Sequence, residues 1–198
     1  MSQKALDTSA INRSKFGRVG LLYGGLSSER EISLMTGEAV LVALKNLNVD
    51  VIAIDVQKDI LQVLPSYELD RVFIALHGPG GEDGTLQDAL ESLSIPYTGS
   101  GVSASALAMD KLRCKKMWQR IGLPTTDFSL LEETSDWGAV LDALGGKVMV
   151  KPACEGSSIG MSRVENAEQL KTAWRHAAEF NSVVIAEPLL EGEEYTVA

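Results

Sequence analysis

Short apolar runs and longer amphipathic segments alternate along the first half of the chain. Nearly continuous apolar runs at 18–25, 51–55 and 71–77 predict buried strands, because both faces of a parallel strand are covered. Ser28 and Glu31 form a capping box that would begin a helix after the first strand. Apolar residues recurring every three or four positions predict the buried stripe of that helix, namely Ile32, Met35, Ala39, Ala43 and Leu47.

The third predicted strand leads into a glycine-rich loop, a helix at 86–93 and a short strand at 96–98. Apolar strands that alternate with helices predict a parallel sheet covered on both faces. Ligands of such sheets lie beyond the carboxyl ends of the strands. The loops 24–29 and 77–84 fall at such ends, so we expect both to line a binding site.

The second half of the chain has a different order of elements. Small residues at 99–110 predict a hinge, and a helix begins near Asp110 and ends at a Gly-Leu-Pro sequence. The loop between the predicted strands 147–150 and 161–164 is too short for a crossover helix, so these strands should be antiparallel. The remaining predicted elements are strands at 128–131, 183–187 and 193–198, and helices capped by Asp136 and Asn166.

These patterns predict two domains after a loose tail at residues 1–15. Residues 16–100 would form an α/β domain with a parallel, Rossmann-like sheet, and residues 101–198 an α+β domain. The last residues read as a strand, and a domain seldom stops within a strand. We therefore expect this chain to be a fragment whose remainder is missing.

Composition narrows the class of protein. Of the 198 residues, 45% are hydrophobic and 23% are charged, as in ordinary globular proteins, and the net charge of −9 disfavours nucleic-acid binding. The basic segment 111–120 has helical spacing and is interpreted as a mostly solvated helix face. Apolar runs are too short to span a membrane, and Cys114 and Cys154 lack metal or redox spacing. We expect a cytoplasmic protein without a nucleic-acid or membrane partner.

Four residues stand out as candidates for chemistry. Lys151 ends an apolar run before the small-residue loop 156–160, which is typical of a phosphate site but also of a tight hairpin with a surface lysine. Lys111 begins a helix, where the helix dipole disfavours a cation. Glu29 lies in the first turn of a helix, and the alternative interpretation is that it simply caps the helix. His77 lies at a strand end, and the alternative there is a purely structural histidine.

An acidic segment at 187–194 follows the apolar strand 183–187. Such carboxylates are usually solvated. The alternative is a connector that offers backbone groups to a nucleobase and a carboxylate to ribose hydroxyls.

Five segments resemble, in order, successive segments of D-alanine–D-alanine ligase, an ATP-grasp enzyme. The resemblance extends from about Arg18 to Ala198 and is far more specific than any single loop. The five segments are residues 21–34, 73–87, 95–115, 150–162 and 187–198.

The resemblance implies a role for each matching residue at the substrate site. Glu29 would hold the ammonium group of the first D-alanine, and His77 and Glu82 would lie near its carboxylate. Residues 156–160 would be the lid over the triphosphate, and Ser157 would link this lid to Glu29 through hydrogen bonds.

The resemblance also implies a nucleotide site. Lys111 and Lys151 would grip the phosphates of ATP, together with Ser158 of the lid. Adenine would meet Glu187 and the backbone around Leu190, and the ribose would meet Glu194. Pro188 departs from the pattern, since lysine is common there; proline offers neither a side-chain donor nor an N–H.

The implied reaction forms D-alanyl-D-alanine for peptidoglycan precursors, through an acyl phosphate. It needs ATP and Mg²⁺ or Mn²⁺, whose ligands are expected in the missing C-terminal part, so no metal ligand is predicted here. We expect a homodimeric parent enzyme, and an inactive fragment. One alternative is another ATP-grasp enzyme, such as a D-alanine–D-lactate ligase or a biotin-dependent carboxylase subunit. The carboxylase is less compatible with the loops 24–29 and 77–84. The other alternative is a non-catalytic nucleotide-binding fragment.

Overall fold

The structure is a computed structural model that describes residues 15–195. The chain divides into two compact units between Ala106 and Leu107. The first unit contains a parallel sheet and the second an antiparallel sheet, so the chain is mixed α/β. Within the described residues, no helix has both the length and the apolar character needed to cross a membrane.

The elements of the first unit follow the predicted alternation of strands and helices. They are β1 (Val19–Gly24), α1 (Arg30–Asn46), β2 (Val51–Val56), α2 (Ile60–Val63), a 3₁₀ turn (Leu64–Tyr67), β3 (Arg71–Ile74) and α3 (Thr85–Ser92). Helix α4 (Val102–Met109) contains the division between the units. The segment 99–110, predicted to be a hinge, therefore contains a helix that was not predicted from its small residues.

The predicted parallel sheet is confirmed, with strand order β2-β1-β3. Val19 of β1 lies between Val51 of β2 and Arg71 of β3. The predicted strand at 96–98 is reduced to a single bridge between Val72 and Tyr97. All strands run the same way, so their carboxyl ends lie at one edge of the sheet.

Both faces of this sheet are covered. Leu22 of β1 packs with Ile60, Leu86 and Leu90, which belong to α2 and α3. The next residue, Tyr23, points to the opposite face because side chains alternate along a strand, and there it packs against α1.

The start and the buried stripe of α1 were predicted wrongly. The N-cap is Glu29 rather than Ser28, and no side chain caps the helix. Ile32, Met35, Ala39 and Ala43 are exposed, while the fully buried positions of the helix are Ser33 and Gly37. The reason is close approach to the sheet: a Cβ at Gly37 would lie 2.5 Å from Cβ of Tyr23, and Ser33 Oγ donates to the Ala75 carbonyl at 2.7 Å.

The second unit has an antiparallel sheet with strand order β4-β7-β5-β6. The antiparallel pairing of β5 with β6 confirms the prediction from the loop length. Its elements are α5 (Lys111–Ile121), β4 (Ser129–Leu131), α6 (Trp137–Ala143), β5 (Val148–Pro152), β6 (Ser162–Val164), α7 (Ala167–Ala178) and β7 (Val184–Pro188).

Two predicted helix caps, Asp136 and Asn166, and the predicted helix start near Asp110 are confirmed in this unit. The side chains of Asp110, Asp136 and Asn166 each accept a hydrogen bond from a backbone N–H of the helix that follows. Helix α7 packs on the sheet and against α6, with Trp137 and Trp174 ring centroids 5.7 Å apart. Residues 193–195 are not in a strand, contrary to the prediction, and residues 196–198 lie outside the described part.

The close approach of α1 to Tyr23 gives a testable prediction. Gly37→Ala would normally favour the helix, but here the new methyl group meets Tyr23, so we expect a loss of about 1–3 kcal/mol in the free energy of unfolding. Urea denaturation measures this loss. Gly138→Ala is the control, since its methyl group would lie 3.6 Å from its nearest neighbour and should leave stability unchanged or slightly raised. Equal stability of the two variants would contradict the tight packing.

Candidate functional site

The loop after β3 is folded around its own carboxylates. Glu82 Oε2 accepts a hydrogen bond from Gly78 N at 2.8 Å, and Asp83 accepts from Gly80 N at 2.9 Å and Thr85 N at 3.0 Å. Partial burial opposes ionisation of Asp83, but these backbone hydrogen bonds outweigh it and lower its pKa. The loop is therefore held in one shape at the carboxyl edge of the parallel sheet.

His77 lies beyond β3, which ends at Ile74, so it does not terminate the strand as predicted. Its Nε2 is 3.0 Å from Thr36 Oγ1, and its carbonyl accepts from Ser27 Oγ at 2.7 Å. These contacts tie His77 to α1 and to the loop before it.

Glu29 is brought next to the same loop. The residue is buried, 8% exposed, although it carries a carboxylate. A Cβ at Gly78 would lie only 2.7 Å from Glu29 Oε2, and Gly78 has φ of +70°, so glycine is needed there for two reasons. Glu29, His77 and Glu82 were predicted to act together. His77 and Glu82 belong to the loop 77–84, and Glu29 lies against Gly78 of the same loop.

A cavity of about 210 Å³ adjoins this loop on the side of α2. Its walls include His77, Gly80, Gly81 and Leu86. Buried Gln87, which the sequence reading did not single out, donates from Nε2 to the Gly81 carbonyl at 2.7 Å and so supports one wall.

Charged residues in the second unit form a cluster around Glu187. Lys151, in β5, and Glu187, in β7, are joined by an ion pair across neighbouring strands, with Lys151 aligned to Ile185. Lys115 of α5, only 5% exposed, forms a second ion pair with Glu187 Oε2 at 2.9 Å. Segment 111–120 was predicted to be a mostly solvated helix face, and the burial of Lys115 corrects that prediction at this residue.

The two lysine contacts control the ionisation of Glu187. Partial burial of the carboxyl group opposes its ionisation, but hydrogen bonds from Lys115 and Lys151 outweigh it and lower its pKa. Glu187 is therefore held in its charged form by two ammonium groups.

Lys111 stands at the first position of α5, as predicted. Its Nζ donates to the Glu155 carbonyl, and its backbone N–H donates to the Ala153 carbonyl at 2.9 Å. Burial, with the positive charge of Lys151 next in size, lowers the pKa of Lys111. Lys111 and Lys151 are thus close enough to repel each other, and a bound anion would relieve that repulsion.

The predicted lid joins β5 to β6. Ser157 and Ser158 are exposed and have φ of +47° and +61°, values that residues with a Cβ seldom adopt. Gly160, with φ of +69°, packs against Phe180, where a Cβ would lie 2.8 Å from the ring. The loop is anchored at Gly160 and presents its two serines to solvent.

The predicted nucleobase connector follows β7. Pro188 is the last residue of β7 and aligns with Val148, and Leu189 N donates to the Lys147 carbonyl at 2.9 Å. Leu190 and Glu194 are exposed beyond the end of the strand. The structure therefore places Lys111, Lys151 and Glu187 together, with Leu190 and Glu194 further along the same chain segment.

The cluster makes the stability of the second unit depend on pH. The pKa of Glu187 is lowered from the ordinary value of 4.5, so its ion pairs stabilise the folded state fully above about pH 4.5 and are lost as pH falls through the folded-state value. Glu187→Gln should therefore be less stable at pH 7 and lose less stability on acidification. Urea midpoints measured between pH 7 and pH 3 test this expectation.

Glu165→Gln is the matched control, because Glu165 forms an exposed ion pair with Lys147 at 3.2 Å. Exposed pairs contribute little, so this variant should follow the unmodified chain at every pH. Parallel pH curves for the Glu187 variant and the unmodified chain would argue against the buried pairing.

The fold is similar to those of solved D-alanine–D-alanine ligases. The D-alanine–D-alanine ligase of Bacillus anthracis matches with a TM-score of 0.79 and 35% sequence identity, over 88% of this chain and 58% of that chain. A structure of that enzyme described as complexed with ATP matches with a TM-score of 0.78 and 34% identity, over 88% of this chain and 59% of that chain.

Sequence comparison gives the same result. A family model described as D-ala D-ala ligase N-terminus matches residues 60–100, and one described as D-ala D-ala ligase C-terminus matches residues 117–198. The D-alanine–D-alanine ligases of Saccharophagus degradans and Pseudomonas putida (strain GB-1) are 54% and 53% identical, over 94% and 96% of this chain. The chain belongs to the D-alanine–D-alanine ligase family. It spans 60% of the length of these two curated relatives.

Proposed function

We propose that these residues belong to an enzyme that joins two D-alanine molecules with ATP, and we call the whole protein the parent enzyme. The observation that carries the proposal is the identity of over 50% with curated D-alanine–D-alanine ligases. The Lys111–Lys151 pair supports it, because two ammonium groups near one carboxylate leave a net positive charge suited to phosphate.

In the proposed reaction, the carboxylate of the first D-alanine attacks the γ-phosphorus of ATP and ADP leaves. The amine of the second D-alanine then attacks the resulting acyl phosphate, its proton is lost, and inorganic phosphate leaves. Positioning and electrostatic stabilisation provide most of the catalysis of phosphoryl transfer. Lys111 and Lys151 would supply that stabilisation from this chain.

We assign the first D-alanine to the loop of the first unit. Glu29 would bind the ammonium group, since its carboxylate is buried beside Gly78. His77 and Glu82 would lie near the substrate carboxylate. Ser157 of the lid would link to Glu29 and help to shape the dipeptide site.

We assign the nucleotide to the second unit. Ser158 would contact the phosphates, and Glu194 the ribose. Glu187 and the backbone near Leu190 would meet adenine. Because Pro188 has no N–H and its side chain is apolar, adenine would rest on carbonyl groups at this position.

The finer features of the parent enzyme are also proposals. We expect a Rossmann-like first domain, a central ATP-grasp domain, and a C-terminal part that holds Mg²⁺ and completes catalysis, so that the 198 residues alone do not ligate. The parent enzyme would be a cytoplasmic homodimer acting in peptidoglycan precursor synthesis.

The test is product formation by the purified parent enzyme with ATP, Mg²⁺ and D-alanine. We expect D-alanyl-D-alanine, ADP and phosphate in equal amounts, and no ADP release without D-alanine. Adding D-lactate at equal concentration decides the second substrate: a depsipeptide as the main product would identify a D-alanine–D-lactate ligase instead. ADP release that does not respond to D-alanine would rule out both ligases.

A further inference from the structure

Lys115 is a buried cation that the proposed catalytic roles do not use. It lies one helical turn after Lys111 in α5, on the same face of the helix. Burying an ammonium group is costly unless it is fully hydrogen-bonded and paired. Its contacts should therefore show what it does.

All three N–H groups of the Lys115 ammonium have an acceptor nearby. Nζ is 2.9 Å from Glu187 Oε2, 3.0 Å from Thr125 Oγ1 and 2.7 Å from Thr126 Oγ1. An ammonium group has only three donors. Lys115 is thus fully occupied by protein atoms and has no donor left for a ligand.

Glu187 receives its two lysines on different oxygen atoms. Oε2 takes Lys115 and also a hydrogen bond from Thr126 Oγ1 at 3.2 Å, while Oε1 takes Lys151. The lysine side chains differ in exposure, with 6% for Lys115 and 22% for Lys151. Lys115 is therefore the more deeply buried partner of Glu187, and Lys151 is the more exposed one.

We propose that Lys115 is a positioning residue that keeps Glu187 ion-paired when Lys151 leaves it for a phosphate group of ATP. Without Lys115, the departure of Lys151 would leave a buried carboxylate without a cation, which is strongly unfavourable. Lys115 thereby lets Lys151 exchange partners at low cost. The inference rests on the proposed nucleotide role of Lys151.

The test compares ATP affinity in the parent enzyme and three variants: Lys115→Met, Glu187→Gln and the double variant. Calorimetry with a non-hydrolysable ATP analogue gives Kd. We expect Lys115→Met to raise Kd about tenfold or more, which corresponds to about 1.4 kcal/mol or more, and to leave the Kd of D-alanine unchanged. Glu187→Gln also removes the proposed adenine contact, so the effect of Lys115→Met is compared within each background. Adding Lys115→Met to Glu187→Gln should change Kd little, because no buried carboxylate is left that needs a cation.

The double variant separates positioning from a general structural defect. A general structural role predicts that Lys115→Met raises Kd equally with and without Glu187, whereas our inference predicts the rise only where Glu187 is present. Lys116→Met is the matched control, because Lys116 is exposed and adjacent in α5, and its Kd should equal that of the unmodified enzyme. An equal rise in Kd with and without Glu187, or an unchanged Kd in Lys115→Met, would overturn the inference.

Two further outcomes keep the result interpretable. If the unmodified parent enzyme does not bind the ATP analogue, the proposed function fails before Lys115 is tested. If Lys115→Met does not fold, Thr126→Val weakens the same pairing, since Thr126 contacts both Lys115 and Glu187. That variant should raise Kd by about threefold, and an unchanged Kd would overturn the inference.

Discussion

Replacing Lys151 with alanine in the parent enzyme is expected to lower kcat by about 10²–10³-fold, the effect typical of losing one preorganised charge donor at a reaction centre. Lys151 is placed by β5, and burial together with the positive charge of Lys151 lowers the pKa of Lys111. Transition states of phosphoryl transfer carry spread negative charge, so a missing cation costs most at that stage. Steady-state ADP release measures the change.

The variant should remain folded, which makes the result informative. Removing one partner of a buried ion pair usually leaves an uncompensated charge. Here Glu187 would keep Lys115 at 2.9 Å and Thr126 at 3.2 Å, so the carboxylate stays paired. Circular dichroism and thermal unfolding should therefore differ little from those of the unmodified enzyme.

Lys147→Ala is the control for this prediction. Lys147 lies just before the same strand, and its ammonium group is exposed in a surface pair with Glu165. This substitution removes the same charge from the chain without touching the Glu187 cluster. Equal kcat losses in the two lysine variants would show that net charge, and not the position of Lys151, is responsible.

The strands of the two sheets and the helix caps at Asp136 and Asn166 were predicted well because their signals are local. The apolar run that ends at Gly24 determines the position of β1. The shortness of the loop between β5 and β6 determines that these strands pair antiparallel. Asp136 and Asn166 cap their helices through hydrogen bonds that span only three residues. Such features need no knowledge of the tertiary structure.

The buried face of α1 could not be predicted because tertiary packing decides it. Apolar periodicity favoured Ile32 and Met35, but the helix turns Ser33 and Gly37 to the sheet. Tyr23 leaves no room for a side chain at Gly37, and Ser33 donates to the Ala75 carbonyl, so tertiary contacts explain why these two residues are inside. Periodicity assumes that large apolar residues are buried, and close helix–sheet approach reverses that assumption.

Lys115 was missed for a related reason. In the basic segment 111–120, exposed lysines such as Lys116 and the buried Lys115 have identical side chains. Its acceptors, Thr125, Thr126 and Glu187, lie in other parts of the chain. The spacing of four residues from Lys111 was the one available signal, and it has meaning only once Lys111 is assigned to a phosphate.

The second large effect is expected for Glu29→Gln in the parent enzyme, with the KM of the first D-alanine raised about 10–100-fold and the Kd of ATP nearly unchanged. A charge-assisted hydrogen bond to an ammonium group contributes about 1.5–3 kcal/mol, and glutamine retains the shape but not the charge. Glu31→Gln, which alters an exposed carboxylate in the first turn of the same helix, should leave both constants unchanged.

The difference between the effects of Glu29→Gln on D-alanine binding and on ATP binding identifies the role of Glu29. Its backbone is the N-cap of α1 and its side chain lies against Gly78, so a general disturbance would displace both the helix start and the His77 loop. That disturbance would lower the melting temperature, as Gly37→Ala is expected to do. Loss of substrate charge pairing would instead change D-alanine binding at constant melting temperature, because glutamine fills the same space. Parallel losses of D-alanine and ATP affinity with a lower melting temperature would assign Glu29 to folding alone.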